Sequence, residues 1–316
     1  MDARVTAADV ARAAEHVAGH VRRTPVVCLE PDATGVDVPV WLKLESHQVT
    51  GSFKARNAFS LLLGAQVPEA GVVAVSGGNF GLAMAHAASH LGVPITVFVP
   101  EEAARVKIDG ISVLGAEVEV VSGSIAELYA ASERQVAATG ALFAHPYHQL
   151  EVVAGAGTCG LELDEQCPEV DTVLVAVGGG GLIGGISAWF GDRVQIVAVE
   201  TEGTPTLHRA MAAGHRVEIE PTGIGVSALG APIVGEIAWD AAQRWVDDTV
   251  LVSDDDAVAA QRRLWDAGRI VAEAGGAVAF AALTSGAYTP RPDERVAVVV
   301  CGANTDPAEV LAPSAP

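Results

Sequence analysis

The hydrophobic positions of this chain fall into short apolar runs separated by longer stretches in which apolar residues recur at helical spacing. Thr6-Ala7-Ala8-Asp9 has the form of a capping box opening an amphipathic helix through Val21, which Thr24-Pro25 ends. The apolar run from Val38 to Leu44 predicts a strand, and Ala55–Leu63 a helix. Strand and helix then alternate, with strands Val72–Val75, Ile95–Val99, Val118–Val121 and Leu142–Ala144 and helices Asn79–Leu91, Ala103–Leu114 and Ile125–Ala138. A second series starts at the helix Glu151–Gln166. Its strands are Val173–Val177, Gln195–Val199, Val250–Val252 and Val296–Val300, and its helices are Leu182–Trp189, Asp255–Arg269 and Ala277–Leu283. Such alternation predicts parallel sheets with right-handed crossovers. The expected fold class is α/β, with two domains, each an open, mostly parallel sheet flanked by helices. Residues 69–146 form the smaller domain, and 1–68 with 147–316 the larger. Thr201 to Asp247, rich in Pro and Gly, predicts loops and short helices around a site, and the tail from Ala312 reads as disordered.

Composition narrows this. The 316 residues suit about two domains. Half are apolar and 34 are Gly, while aromatics are few, as buried parallel strands with tight βα turns require. A net charge of −20 excludes nucleic acid or an anionic membrane as partner. An anionic cofactor then needs its own backbone N–H donors and helix ends. The four cysteines (Cys28, Cys159, Cys167 and Cys301) form no CxxC pair, and no signal peptide is apparent, so a reduced cytoplasmic setting is expected. Thr172 to Phe190 carries no charge, yet Gly178 to Gly181 and Gly184-Gly185 make it strand, loop and helix start, not a membrane span.

The chemistry centres on Thr50-Gly51-Ser52-Phe53-Lys54, just past the first strand. Lys54 reads as the amine that links covalently to the aldehyde of pyridoxal phosphate, with Phe53 walling the ring. Such an amine must be partly dehydrated to lose its proton near neutral pH. The plain alternative is a solvated lysine at a helix start. Three glycine-rich turns follow predicted strands. Ser76-Gly77-Gly78-Asn79-Phe80-Gly81 presents free N–H groups for a substrate carboxylate, with Asn79 donating to a ring oxygen, or is simply a tight βα turn. Gly178-Gly179-Gly180-Gly181-Leu182 is a nest suited to a phosphate. Gly179, Gly181 and Gly184 also fit GxGxxG, with Glu200 where a dinucleotide fold places its ribose-binding acid, so an oxidoreductase competes. That reading leaves Lys54 and the first turn unexplained. In the third turn, Cys301-Gly302-Ala303-Asn304, a neutral thiol is placed to bond a pyridine nitrogen, which favours elimination over long-lived carbanion chemistry, or is a buried structural cysteine.

Together these motifs resemble the fold-type II pyridoxal phosphate enzymes, the tryptophan synthase β-like fold, and within them the serine/threonine dehydratase family. The resemblance rests on Leu42 to Glu45 with Thr50 to Lys54, on Ser76 to Gly81, and on His145-Pro146. It continues through Glu151 to Gly155 with Gly157-Thr158, Gly178 to Gly181, Val199-Glu200 and Glu273 to Ala277. It implies that Lys54 carries the cofactor and acts as base, and that Asn79 contacts its 3′ oxygen. It further implies that Gly178 to Gly181 cradle the phosphate and that Cys301 faces the ring nitrogen. The implied substrate is a small β-hydroxy amino acid, L-threonine or L-serine, and the implied assembly a homodimer. Phe80 stands where many relatives have histidine, His47 where an apolar residue is common, and Gly77 where racemases carry a serine acid/base. β-Replacement, racemisation, 3-hydroxyaspartate as substrate and a non-catalytic carrier of the cofactor are the alternatives. No arginine between Glu117 and Glu133 awaits a second substrate carboxylate.

No metal is expected. Glu200 is followed by Thr204 and Thr206, too few oxygen ligands for a hard cation. His86 and His90, at i and i+4, lack an evident third ligand. His145 and His148 flank a proline turn and read as structural, and Asp254-Asp255-Asp256 as a helix start.

Overall fold

A computed structural model of the chain describes residues 4–103 and 105–311. In chain order, helix α1 (Ala7–Val17) precedes β1 (Val26–Leu29), α2 (Pro31–Thr34), β2 (Val40–Leu44) and α3 (Lys54–Gly64). Next come β3 (Val72–Val75), α4 (Asn79–Leu91), β4 (Ile95–Pro100), α5 (Arg105–Val113), β5 (Glu117–Val121), α6 (Ile125–Thr139) and β6 (Leu142–Ala144). The next stretch holds α7 (Leu150–Gln166), β7 (Thr172–Ala176), α8 (Gly181–Phe190), β8 (Gln195–Thr201), α9 (Thr206–Ala213), α10 (Val226–Leu229) and α11 (Glu236–Trp245). It ends with β9 (Asp248–Val252), α12 (Asp254–Gly268), α13 (Ala274–Thr284), β10 (Val296–Val300) and α14 (Pro307–Leu311).

The strands form two sheets, a six-stranded one ordered β1-β2-β10-β7-β8-β9 and a four-stranded one ordered β5-β4-β3-β6. All pairs are parallel except β1 with β2. The expected α/β class and its two sheets are therefore present. Strands β3, β6 and β10 and helix α4 keep their predicted bounds, and the Thr6–Asp9 capping box opens α1. Three expectations need correcting. The antiparallel edge strand β1 is missed because its four residues, two half-buried, one exposed and one buried, show no alternation to read. Helix α1 stops at Val17, four residues early, where Ala18 and Gly19 turn the chain. The Thr201–Asp247 stretch contains α11, ten residues long, whose buried Ile237, Ala238, Ala241 and Ala242 form a core-facing stripe. The tail from Ala312 lies outside the described residues.

Parallel strands buried on both faces give near-continuous apolar runs; every residue of β3, β7 and β10 is buried. Helix α3 packs into the core of the four-stranded unit and reaches helix α7 on its other side. Ala58, Phe59, Leu61 and Leu62 pack with Val72, Ala74 and Met84 of the four-stranded unit. On another face Arg56 is fixed by Glu45, just past β2, and Glu162 of α7. Helices α7 and α8 meet at Gly157 and Gly185, where either Cβ would run into the other glycine's backbone.

Strand order places the chemistry. β2, β10 and β7 are neighbours in one parallel sheet, so their carboxyl ends deliver Lys54, Cys301 and the Gly178–Gly181 loop to one edge. Ligands of open α/β sheets bind at such an edge. The Ser76–Gly81 loop follows β3 of the other sheet, and Asn79 bonds across the gap to Glu273, just before α13, and to Asn304, after β10.

Candidate active site

Lys54 is the first residue of α3, reached through a turn in which Thr50 (φ 62°) and Gly51 (φ 74°) are both left-handed. A β-branched residue there is strained. The turn is held by the segment after β10. Phe53 N–H donates to the Cys301 carbonyl (3.1 Å), Ala303 N–H to that of Gly51 (2.9 Å), and the Asn304 amide to that of Thr50 (2.8 Å). Gly51 is required because a Cβ would strike Asn304.

Among the described residues the Lys54 ammonium has no carboxylate partner. Its Nζ donates to the Pro146 carbonyl at 2.9 Å and lies 4.9 Å from the Phe53 ring centre and 5.6 Å from that of Phe80. Burial lowers its pKa to about 8, an effect that Cys301 partly offsets. The Cys301 thiol lies 3.5 Å from the Gly275 carbonyl, and burial, reinforced by Glu273, pushes it up to about 12. At neutral pH the thiol is uncharged.

Asn79 is the hub between the two sheets. Its amide donates to Glu273 Oε1 (2.5 Å), and its oxygen accepts from Asn304 (2.8 Å). Glu273 is only 5% exposed, and burial raises its carboxyl above the usual range, with Asn79 and then Lys107 opposing. Ser76 Oγ accepts from Gly78 N–H (3.2 Å), which closes the turn, and a Cβ at Gly77 would come within 2.8 Å of Ala103. Phe80 is buried. A cavity of about 950 Å³ opens beyond Asn79, Glu273 and Asn304, but neither Lys54 nor the four-glycine loop lines it.

In the four-glycine loop, Gly180 (φ 85°) precedes α8, so the first N–H groups of that helix have no intrahelical acceptor. A Cβ at Gly179 would enter the Tyr147 ring, and one at Gly178 would approach Leu229. Leu182 is 4% exposed within the larger core, which leaves its backbone alone to serve a ligand.

The structure therefore brings Phe53, Lys54, Phe80 and Cys301 together, with Asn79 one contact beyond and the glycine loop tied in through Tyr147. His47 is not part of this group; it is exposed, with its ring 3.2 Å from Ser46 Oγ. Both Glu200 oxygens accept N–H groups at the start of α9, from Leu207 (2.8 Å) and His208 (2.7 Å), and the residue is 1% exposed. It is a helix cap with no oxygen facing a ribose. His86 and His90 pack with His20 around Phe59. No group of His, Cys, Asp or Glu among the described residues has metal-holding geometry. His148 accepts from Glu236 N–H (3.1 Å), and Asp256 completes a capping box with Ser253. Sequence reasoning misses Tyr147 and Tyr129, which bear no motif, and the roles of Glu273 and Asn304, both inside quoted motifs.

A pyridoxal phosphate fits this set. The amine is held between two aromatic faces without a counter-charge. Near it the hydroxyls of Thr50 and Ser52 are buried without hydrogen-bond partners among the described residues, polar atoms that an incoming ligand would satisfy. Fold and site define a fold-type II pyridoxal phosphate enzyme.

Comparison with known proteins agrees. Residues 17–302 match the model of the family described as pyridoxal-phosphate dependent enzyme. The L-threonine ammonia-lyase of Thermotoga maritima is 34% identical over 311 residues, covering 96% of this chain and 76% of that protein. The phenylserine dehydratase of Ralstonia pickettii is 35% identical over 293 residues, 91% of this chain and 90% of that one. The solved structure of maize serine racemase superposes with a TM-score of 0.92 at 27% identity, over 98% of this chain and 96% of the other. The chain belongs to the pyridoxal-phosphate-dependent enzyme family, in its serine/threonine dehydratase branch.

Proposed function

We propose that the protein is an ammonia-lyase that converts a β-hydroxy amino acid, L-threonine or L-serine foremost, to a 2-oxo acid and ammonia. The observation that carries this is the unpaired, dehydrated Lys54 amine beside an uncharged Cys301 thiol. Bound there, pyridoxal phosphate supplies a sink for the electron pair left when the α-proton departs. Lys54 holds the cofactor and, once displaced by the substrate amine, removes that proton. Asn79, oriented by Glu273 and Asn304, contacts the ring oxygen, Cys301 faces the ring nitrogen without adding charge, and Gly178 to Leu182 offer N–H groups to the phosphate. Ser76 to Phe80 receive the substrate carboxylate. In this reading residues 1–68 and 147–316 are the cofactor domain and 69–146 the substrate-loop domain.

Racemisation needs a proton donor on the face opposite Lys54. Gly77 supplies none, and a serine side chain there would press on Ala103. β-Replacement is separated from elimination by offering sulfide with O-acetylserine and looking for cysteine. The cysteines are free thiols, which suits a cytoplasmic setting, and a homodimer is the working assembly; light scattering tests the latter. The function itself is tested by the visible spectrum before and after borohydride, peptide mass analysis for a pyridoxyl group on Lys54, and ammonia release across a panel of hydroxy amino acids. A colourless protein, or an adduct on another lysine, rejects the reading.

A further inference from the structure

Helix α3 carries a polar side chain that the function proposed above leaves unused. Asn57 is fully buried, and neither its amide nitrogen nor its oxygen has a hydrogen-bond partner among the described residues. Such a group has given up its bonds to water without replacing them, so it calls for an ordered water, a ligand or a partner that moves. Its place on the helix favours the last. Arg56 and Ser60 face α7, where they bind Glu162 and the Glu151 carbonyl. Ala58 and Leu61 face the core of the smaller unit. At about 100° per residue, Asn57 falls between those two faces, with Phe53 and Lys54 on either side of it one turn back. Phe53 already has helical backbone angles, so the spacing holds that far. Helical side chains lean toward the N-terminus, and positions three or four apart are neighbours, roughly 5–6 Å between Cβ atoms. The Asn57 carboxamide therefore overhangs the base of Lys54. The amine swings to the same side, its Nζ lying 4.9 Å from the Phe53 ring centre.

We infer that Asn57 is a positioning residue for proton transfer, its carboxamide oxygen accepting a hydrogen bond from Lys54 once that amine has taken the substrate's α-proton. This deepens the function proposed above and rests on it. In that step the α-C–H bond breaks, its electron pair passes to the cofactor, and a new N–H bond turns the neutral Lys54 amine into an ammonium. An ammonium has three N–H donors. The Pro146 carbonyl accepts one of them. The Cys301 thiol and the His145 ring are both kept uncharged at neutral pH, chiefly by burial, and Arg56 turns away to Glu45 and Glu162. Among the described residues no anion therefore steadies the new charge, and the Asn57 oxygen supplies a neutral acceptor in its place. Neutrality matters here. A carboxylate would hold Lys54 in its charged form, whereas an amide oxygen steadies the ammonium and lets it release the proton before the next turnover. In the resting enzyme the amine lies on Pro146 and the carboxamide stands open.

Two substitutions test this on separate readouts. Asn57→Asp puts a carboxylate where the carboxamide stands, and a charge that close favours the ammonium form of Lys54. In apo-protein carrying it, the pH midpoint for capture of added pyridoxal phosphate is expected to lie at least about one pH unit above that of the wild type. Asn57→Ala is tested in the holoenzyme, on whichever hydroxy amino acid the wild type turns over fastest. Its kcat for ammonia release is expected to fall about tenfold, as loss of a hydrogen bond to a charged group requires, with KM nearly unchanged. The isotope effect of the α-deuterated substrate should grow, because proton removal slows relative to the other steps. The melting temperature should hold or rise, since alanine removes an unsatisfied polar group and is the better helix former. A capture midpoint unmoved in folded Asn57→Asp protein overturns the inference. So does an unchanged kcat in Asn57→Ala, the result expected of a carboxamide that holds only a buried water. A fall in both kcat and melting temperature with the isotope effect unmoved marks a packing role and overturns it too. Should the aspartate variant not fold, the alanine variant decides alone. Wild-type protein that stays colourless with cofactor fails the function and the inference together, whereas normal wild-type turnover beside an indifferent Asn57→Ala fails the inference only.

Discussion

Lys43 and Lys54 are both withdrawn from water, and the fold treats them in opposite ways. The ammonium of Lys43, fully buried, meets three acceptors: the Thr24 carbonyl at 2.9 Å, Glu162 at 2.7 Å and the Gln166 amide oxygen at 2.7 Å. Glu162 also takes both Arg56 guanidinium nitrogens at 2.8 Å, and Arg56 in turn is clamped by Glu45. Every charge in that cluster has a counter-charge. Lys54, two residues from Arg56, has one neutral carbonyl and two ring faces. A buried cation holds its proton firmly when paired and gives it up more readily when not. The first arrangement fixes helix α3, and the second makes its leading residue reactive.

The largest effect expected from breaking this contrast is on activity. Lys54→Ala should lose the borohydride-fixed cofactor and at least the 10²–10⁴-fold in kcat that a positioned base typically contributes, read as ammonia release. Its fold, read by circular dichroism, should survive. The matching change at the other cluster should do the reverse. Glu162→Ala leaves Lys43 and Arg56 without their shared carboxylate, and breaking a buried pair typically costs about 3–5 kcal/mol. Urea unfolding should show that loss. An unchanged midpoint would mean that Glu45 alone neutralises both cations.

This contrast also shows how far the sequence could be read. The bounds of β3 and β10 were legible because both strands are apolar throughout, a pattern that burial on both faces imposes. The glycine turns and Cys301 were legible because each directly follows a buried strand, and Lys54 because it closes the Thr50–Lys54 motif between β2 and α3. The partners that give them their character were not. That Glu273 orients Asn79, 194 residues away in sequence, depends on how two sheets meet. Tyr147 over Gly179 is the same case, since an aromatic residue in a loop carries no periodic signal. Glu200 looked like a ribose ligand because a strand-end acid is common to both uses. Only the α9 N–H groups resolve it.

A finer test sharpens the Lys54 half through pH. Capture of added pyridoxal phosphate by apo-protein requires the neutral amine, so its rate should rise with pH to a plateau governed by a pKa of about 8. An ordinary lysine would still be gaining at pH 10. The same shift carries a stability consequence of fixed sign. With the folded pKa below the unfolded one, the unfolded chain binds the proton more tightly, and folding bears the full penalty at any pH below about 8. The penalty fades as pH rises toward the ordinary lysine value. Lys54→Met in the apo-protein should therefore raise the melting temperature at pH 7 and give a smaller gain at pH 10. An equal gain at both would mean that the methionine acts by packing alone.

The smallest effect is expected at Glu200, which separates a lyase from a dinucleotide enzyme. Its carboxyl is raised to about 8, by burial first and against the pull of the Leu207, His208 and Thr206 N–H groups. Near neutrality it is thus mostly protonated, and a glutamine is close to the form already present. Glu200→Gln keeps an acceptor for one N–H group while turning an amide toward another, so a stability loss of about 0.5–2 kcal/mol, that of a weakened helix cap, is expected. Ammonia release should change less than threefold, because neither carboxylate oxygen faces Lys54. A ribose ligand would respond differently: losing the charge would weaken nicotinamide dinucleotide binding and leave the melting temperature in place. Calorimetry with the dinucleotide, beside a thermal scan, tells the two apart.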